Sequence, residues 1–348
     1  MKKKIAYLHI GLHKTGSKWI QKIFSLNAPE LHKHGIVYPL PEGEVGASHT
    51  FHTFNTNAQQ LFSAATPIQS IIGKEVTDQP HSLLLSAEAM SKHLAKRRLE
   101  TPETFEQELH YLKHLGFEEV HFLLLFRDPV ERVVSQVNHK IKVSQLETIP
   151  DFEYYKTLAL EGCFQLVLDL IEFLQSYPGC KVTLLNYEAV KEDMITPLTN
   201  WLDLPAGTLK TPELSRINRS LSYEEIFALI KIKGAARSVV PAIGFQWMTK
   251  LPHVKAEKLY PSVSVQEMIW EMNAPYLDKI NSFLPQQQQL NKKIYPAFTP
   301  PEKLTFLPEQ LDILIQSLAH YQPVATQIET GAAAQKTVLQ RLKRFLRG

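Results

Sequence analysis

The stretch that most restricts how this chain can fold runs from Ile5 to Phe24. An apolar run, Ile5-Ala6-Tyr7-Leu8-His9-Ile10, meets Gly11-Leu12-His13-Lys14-Thr15-Gly16-Ser17-Lys18-Trp19, and Ile20, Ile23 and Phe24 then recur at helical spacing. The pattern reads as strand, loop, helix. Two glycines let the backbone turn tightly and present its N–H groups, and the positive end of the following helix adds to them, so the loop is built to hold an anion.

Gly11 and Gly16 have the spacing of a Walker A loop, but the order of residues then departs from it. That motif needs Gly-Lys-Ser/Thr after its four variable positions, and here the chain runs Gly16-Ser17-Lys18-Trp19. The early lysine is Lys14, two residues before Gly16. The main cation therefore approaches the anion from a different place than in an ATPase or GTPase. The plain alternative for the segment is an ordinary buried strand, turn and helix.

Any affinity for anions must be local, because 38 Lys and Arg stand against 35 Asp and Glu and the net charge is only +3. Such a balance gives no reason to expect nucleic acid as a partner. With 348 residues and 44% hydrophobic composition the chain can bury a sizeable core. Its two cysteines, Cys163 and Cys180, have no metal-ligand spacing and make no disulfide framework, which fits a reducing cytoplasm. The basic start at Lys2-Lys3-Lys4 is followed by an apolar run that His9 interrupts and Gly11 ends, so it is read as a strand rather than a signal peptide. No stretch reaches the roughly 18 uninterrupted apolar residues of a membrane-spanning helix. The sequence is read as a cytoplasmic protein, free or attached to a membrane surface.

Along the chain, Ser48 to His52 opens a segment with Phe51, Phe54, Leu61 and Phe62 near helical spacing. His81 to Ser86 is a continuous apolar run suited to a central parallel strand, with Ala87-Glu88 just past its end. Glu103 to Leu115 reads as a helix closed by Gly116, and Val120 to Phe126 as the most deeply buried strand, delivering Arg127-Asp128-Pro129. Cys163 to Ser176 is helical in pattern, and Lys181 to Asn186 is another strand. This alternation predicts an α/β fold with a doubly wound parallel sheet over about 1–192. From about Asp193 the pattern turns helical, a cap over about 193–330 grown on the same single domain, with Gln286 to Gln289 as a loop. A tail, 331–348, follows.

A second anion site is suggested by Arg127, Arg132 and Ser135. If Pro129 starts a helix, Arg132 and Ser135 share a face while Arg127 hangs on the strand end, and together they can hold a phosphate. The competing reading is a salt-bridged helix start, Arg132 with Asp128.

The two stretches together resemble the sulfotransferases that use 3′-phosphoadenosine 5′-phosphosulfate (PAPS). Lys14, Thr15, Gly16, Ser17 and Trp19 match the family's 5′-phosphosulfate loop, with Lys18 standing where a second hydroxyl residue is usual. Arg127-Asp128-Pro129-Val130-Glu131-Arg132-Val133-Val134-Ser135 is similar to its 3′-phosphate motif, in which the first Arg and the Ser bind that phosphate. Asn186-Tyr187-Glu188 resembles the family's strand-and-helix segment, and Asn218 to Ser222 a stretch near the donor site in bacterial members. The resemblance implies a P-loop fold of sulfotransferase type and transfer of a sulfuryl group from PAPS to a hydroxyl or amine, releasing 3′,5′-adenosine bisphosphate (PAP). It implies Lys14 as the cation facing the leaving oxygen, Thr15, Gly16, Ser17 and Lys18 at the 5′-phosphate, Trp19 against adenine, Asn218 near the donor, and no metal.

The acceptor's proton needs a base, and Glu88, His49 and His52 are the candidates, the resemblance choosing none of them. A P-loop kinase using ATP and Mg²⁺, or a non-catalytic nucleotide-binding relative, are the alternative functions. The acceptor is open, with carbohydrate and lipid among its candidate classes. In the tail, Lys336, Arg341, Lys343, Arg344 and Arg347 interleave with Val338, Leu339, Leu342, Phe345 and Leu346, a short basic amphipathic helix. Packing on the body is its favoured reading, and peripheral contact with an anionic membrane is the sharper one.

Overall fold

A computed structural model describes residues 3–12, 14–39, 81–88, 91, 94–95, 102–143, 145–146, 148, 150–161, 164–212, 219–256 and 258–319. Five strands form one sheet: β1 (Ile5–Gly11), β2 (Ile36–Val37), β3 (Ser82–Glu88), β4 (Glu119–Phe126) and β5 (Cys180–Asn186). They lie in the order β2-β3-β1-β4-β5, every pairing parallel. The chain thus builds outward from β1 in one direction through β3 and in the other through β4. An α/β sheet wound both ways leaves a crevice at the carboxyl end of the strand where the direction changes, and here that is the end of β1.

The apolar runs are continuous because both faces of this sheet are covered. Successive side chains point to opposite faces. Ala6, Leu8, Ile10, Leu83, Leu85, Phe122, Leu124 and Leu184 face one cluster, shared with α2 (Pro102–His114), α5 (Phe164–Ser176) and part of α10 (Val263–Phe283). Tyr7, Leu84, Leu123, Leu125 and Leu185 face the other, shared with α1 (Ser17–Lys33) and α7 (Ile195–Trp201). Ile20, Ile23 and Phe24 of α1 are wholly buried there, each such side chain contributing roughly 1.5–3 kcal/mol. Buried Asn27 fixes the helix further: its amide donates to Ile23 O and Lys210 O, and its oxygen accepts from Lys210 N–H at 2.7 Å. The anion loop is thereby held between a central strand and an anchored helix.

Further helices among the described residues are α3 (Pro129–Lys142), α4 (Phe152–Glu161), α6 (Tyr187–Val190), α8 (Tyr223–Ala236), α9 (Val240–Lys250) and α11 (Pro308–Ala319). The described strands end at Asn186, and the chain beyond is helical, as its pattern implies. One local expectation is corrected. Gln286–Gln288 is a turn of 3₁₀ helix rather than an open loop, and Gln288 Oε1 accepts from the Asn186 backbone N–H. Cys163, the expected start of α5, lies outside the described residues, and the Phe164 N–H donates to Asn273 Oδ1.

By compactness the chain divides into two units, the first spanning 1–132, 162–213 and 270–293, the second 133–161, 214–269 and 294–348. The sheet belongs to the first. In the second, Ser222 caps α8 in a reciprocal box with Glu225. Glu225, wholly buried, takes both guanidinium nitrogens of Arg219 at 2.8 and 2.6 Å and the amide of Gln310 at 2.8 Å. Arg219 also donates to the Trp247 and Leu251 carbonyls, so this cluster ties three helical segments together. The second unit also contains a cavity of about 490 Å³ with Phe152, Tyr155, Tyr223, Tyr260 and Phe298 in its walls. No cation stands among the described residues that line it. Among the described residues no helix is long and apolar enough to cross a membrane.

Candidate anion site

The loop between β1 and α1 adopts a conformation that few sequences tolerate. Lys14 has φ 68° and Gly16 has φ 83°, two left-handed residues flanking Thr15. Thr15 is fully buried and its hydroxyl donates to Leu12 O at 2.7 Å, closing the loop on itself. Its side chain is therefore a structural tie, and what it offers an anion is its backbone N–H. Gly16 is the N-cap of α1 and supplies no side-chain cap, and no acidic residue stands in the first turn. The first helical bonds run from Trp19 and Ile20 N–H to Gly16 O, so the N–H groups ahead of them have no intrahelical acceptor.

Ser17 completes the cradle. Its Oγ is buried and has no hydrogen-bond partner among the described residues. A buried hydroxyl without a partner costs about 1–3 kcal/mol, and an anion at the helix start would provide the acceptor. The close fit of this side chain explains Gly11 as well: a Cβ there would stand 2.2 Å from Ser17 Oγ. Lys14 is half-buried and Lys18 exposed at the same end of the helix. Trp19 is half-buried and packs against the core cluster on the α1 face.

Arg127 arrives from the end of β4, the neighbour of β1. Its Nη1 donates to Lys14 O at 3.1 Å, its Nε to Glu188 Oε1 at 2.9 Å and its Nη2 to Glu131 Oε2 at 2.9 Å. Three of the five guanidinium N–H groups are so engaged. Glu188 comes from α6, directly after β5, and Lys191 holds its other oxygen at 2.8 Å. Burial works to raise the Glu188 carboxyl, but the hydrogen bond from Lys191 and the charge of Arg127 outweigh it and leave the pKa below the ordinary carboxylate value. Glu188 is thus ionised at neutral pH. The Arg127 guanidinium also lies 5.1 Å from the centre of the Tyr187 ring.

Pro129 opens α3 as its fixed φ predicts. Asp128 caps that helix, its Oδ1 accepting from Glu131 N–H at 3.0 Å and its carbonyl from Arg132 N–H. Arg132 is buried, and Ser135 lies half-exposed on the same helix. Glu88 ends β3 opposite Gly11 in the register, at the mouth of the loop. His49, His52, Asn218 and the tail 331–348 lie outside the described residues. Among the described residues no group of three or more His, Cys, Asp or Glu could hold a metal. Glu131 and the role of Glu188 were not read from sequence, because their partner Arg127 is 61 positions from Glu188 and meets it only through the adjacency of β4 and β5.

The loop makes a testable demand. A Cβ on Gly16 would meet Tyr187 Cε2 at 2.5 Å, whereas one on Gly207, at nearly the same φ of 81°, would meet nothing within 4 Å. Gly207→Ala is expected to cost only the left-handed strain, about 1–2 kcal/mol. Gly16→Ala is expected to cost more in urea melts, because the Tyr187 ring must also move. Equal losses in the two variants would mean that the ring does not confine the loop.

The sequence profile described as a sulfotransferase domain matches residues 6–226 of this chain, from the second residue of β1 into α8. No curated protein and no solved structure matches it.

Proposed function

The chain belongs to the sulfotransferase family, whose reaction is sulfuryl transfer, and from that premise we propose that the donor is PAPS and the acceptor a hydroxyl or amine. The observation that supports this most is the buried Ser17 hydroxyl, without a partner among the described residues, at an uncapped helix start beside the left-handed Lys14. That cradle suits a tetrahedral anion. In this reading the loop N–H groups, Ser17 and Lys18 hold the 5′-phosphate. Lys14 meets the charge that grows on the oxygen bridging sulfur and phosphorus. Arg127 has two N–H groups left for the 3′-phosphate, and Ser135 is assigned to the same group by the family resemblance. Trp19 would lend its accessible face to adenine. Glu88, His49 and His52 remain the candidate bases.

The kinase alternative needs an acid at the end of β4 free for Mg²⁺, and Asp128 there is engaged in capping α3. Titration calorimetry separates the two readings. PAP in the presence of a chelator is expected to bind, and at a hundredfold excess over its Kd to stabilise the fold by about 2.7 kcal/mol. Arg127→Ala is expected to weaken PAP more than Ser135→Ala, since a charged donor contributes about twice a neutral one. Binding of ATP with Mg²⁺ and none of PAP would replace this reading with the kinase. Transfer from sulfur-labelled PAPS to a panel of carbohydrate, lipid, peptide and small-molecule acceptors identifies the second substrate.

A further inference from the structure

Lys14 and Gly16 flank Thr15 in left-handed conformation, and the non-glycine Lys14 needs an external hold there, because such a φ costs it about 1–2 kcal/mol and persists only where its surroundings impose it. Each has one here. Arg127 grips the Lys14 carbonyl, and the Tyr187 ring fills the space beside Gly16. Both grips come from outside the loop, one from the end of β4 and one from the end of β5. They are joined to each other, since Arg127 lies over the Tyr187 ring and is bonded to Glu188, the next residue.

We propose that Glu188 is a positioning residue for the anion loop: it aims Arg127 at the Lys14 carbonyl and so holds the cradle in its binding geometry before any ligand arrives. Glu131 supports the same guanidinium from α3, and Lys191 keeps Glu188 from swinging away. A planar guanidinium gripped at Nε and Nη2 has little rotational freedom left, so its Nη1 stays directed at the carbonyl. The carboxylates do this without touching the donor. The inference rests on the PAPS reading only for the second of its two tests.

The first test needs no ligand. Backbone amide exchange followed by mass spectrometry on the full chain is expected to show 14–18 exchanging about tenfold faster in Glu188→Ala than in the native protein, with β1 and α2 unchanged. Glu188→Gln keeps an oxygen for Arg127 Nε and is expected to restore most of the protection. Unchanged exchange in the loop, or a rise spread evenly over the chain, would overturn the proposal. The second test is PAP affinity, expected to fall about tenfold in Glu188→Ala and about threefold or less in Glu188→Gln. Tighter binding in Glu188→Ala would mean that the carboxylate competes with phosphate for Arg127, and the proposal would be wrong. If the native protein does not bind PAP, the donor reading fails while amide exchange still decides the role of Glu188.

Discussion

Lys14→Ala is expected to lower the rate of sulfuryl transfer by about 10²–10³-fold while weakening PAP binding far less. The asymmetry follows from where the charge is. PAP carries its phosphates in the ground state, and the loop N–H groups, Ser17 and Arg127 are proposed to meet them. The Lys14 ammonium is proposed to meet charge that appears as the bond from sulfur to the bridging oxygen breaks, so its loss would fall on kcat. The backbone gives a clean comparison, because lysine and alanine both carry a Cβ and suffer the same penalty at φ 68°. The Lys14 carbonyl that Arg127 grips is also retained in the variant. Single-turnover transfer from labelled PAPS, set beside PAP titration, reads the two effects separately. Turnover within a few-fold of native would remove Lys14 from the mechanism.

Arg219→Ala is expected to produce the largest loss of stability, about 3–5 kcal/mol. Arg219 and Glu225 have side-chain exposures of 6% and 0%. Removing the guanidinium leaves a buried carboxylate with, among the described residues, only the Gln310 amide and the Ser222 N–H to stabilise it, and takes one of two donors from each of the Trp247 and Leu251 carbonyls. Deleting both partners removes the stranded charge. The double variant Arg219→Ala with Glu225→Ala is therefore expected to lose much less than the sum of the single losses. Urea midpoints for the four proteins of this cycle measure the coupling. Simple additivity would show that the pair is not a coupled unit.

Local order was legible in the sequence and lateral order was not. The Ile5 run, the two glycines and the helical spacing of Ile20, Ile23 and Phe24 identify β1, the loop and α1, since each is specified by neighbours in the chain. Pro129 marks the start of α3 for the same reason. The sequence of strands across the sheet depends instead on which crossovers pack together. So does everything that rests on it, including the grip of Glu188 on an arginine delivered by a different strand. Side-chain direction was equally hidden. Thr15 matches a phosphate-binding motif, yet its hydroxyl turns inward to Leu12 O, while Ser17, two residues on, keeps a hydroxyl without a partner among the described residues. Pro275 lies inside α10, where a proline removes a backbone hydrogen bond. The helix continues through it, so tertiary packing overrides the local preference.

The margins of the sheet carry a consequence for how this protein tolerates crowding by its own copies. A free strand edge is a template on which another chain can add a strand. At one margin β2 contributes only two residues, too short to nucleate such pairing. At the other, β5 sets exposed Lys181 near its start, and its last N–H is taken by the side chain of Gln288. A charge at one end and a borrowed amide at the other leave an incoming strand few places to register. The parallel sheet that carries the loop is in this way guarded against joining another sheet edge to edge.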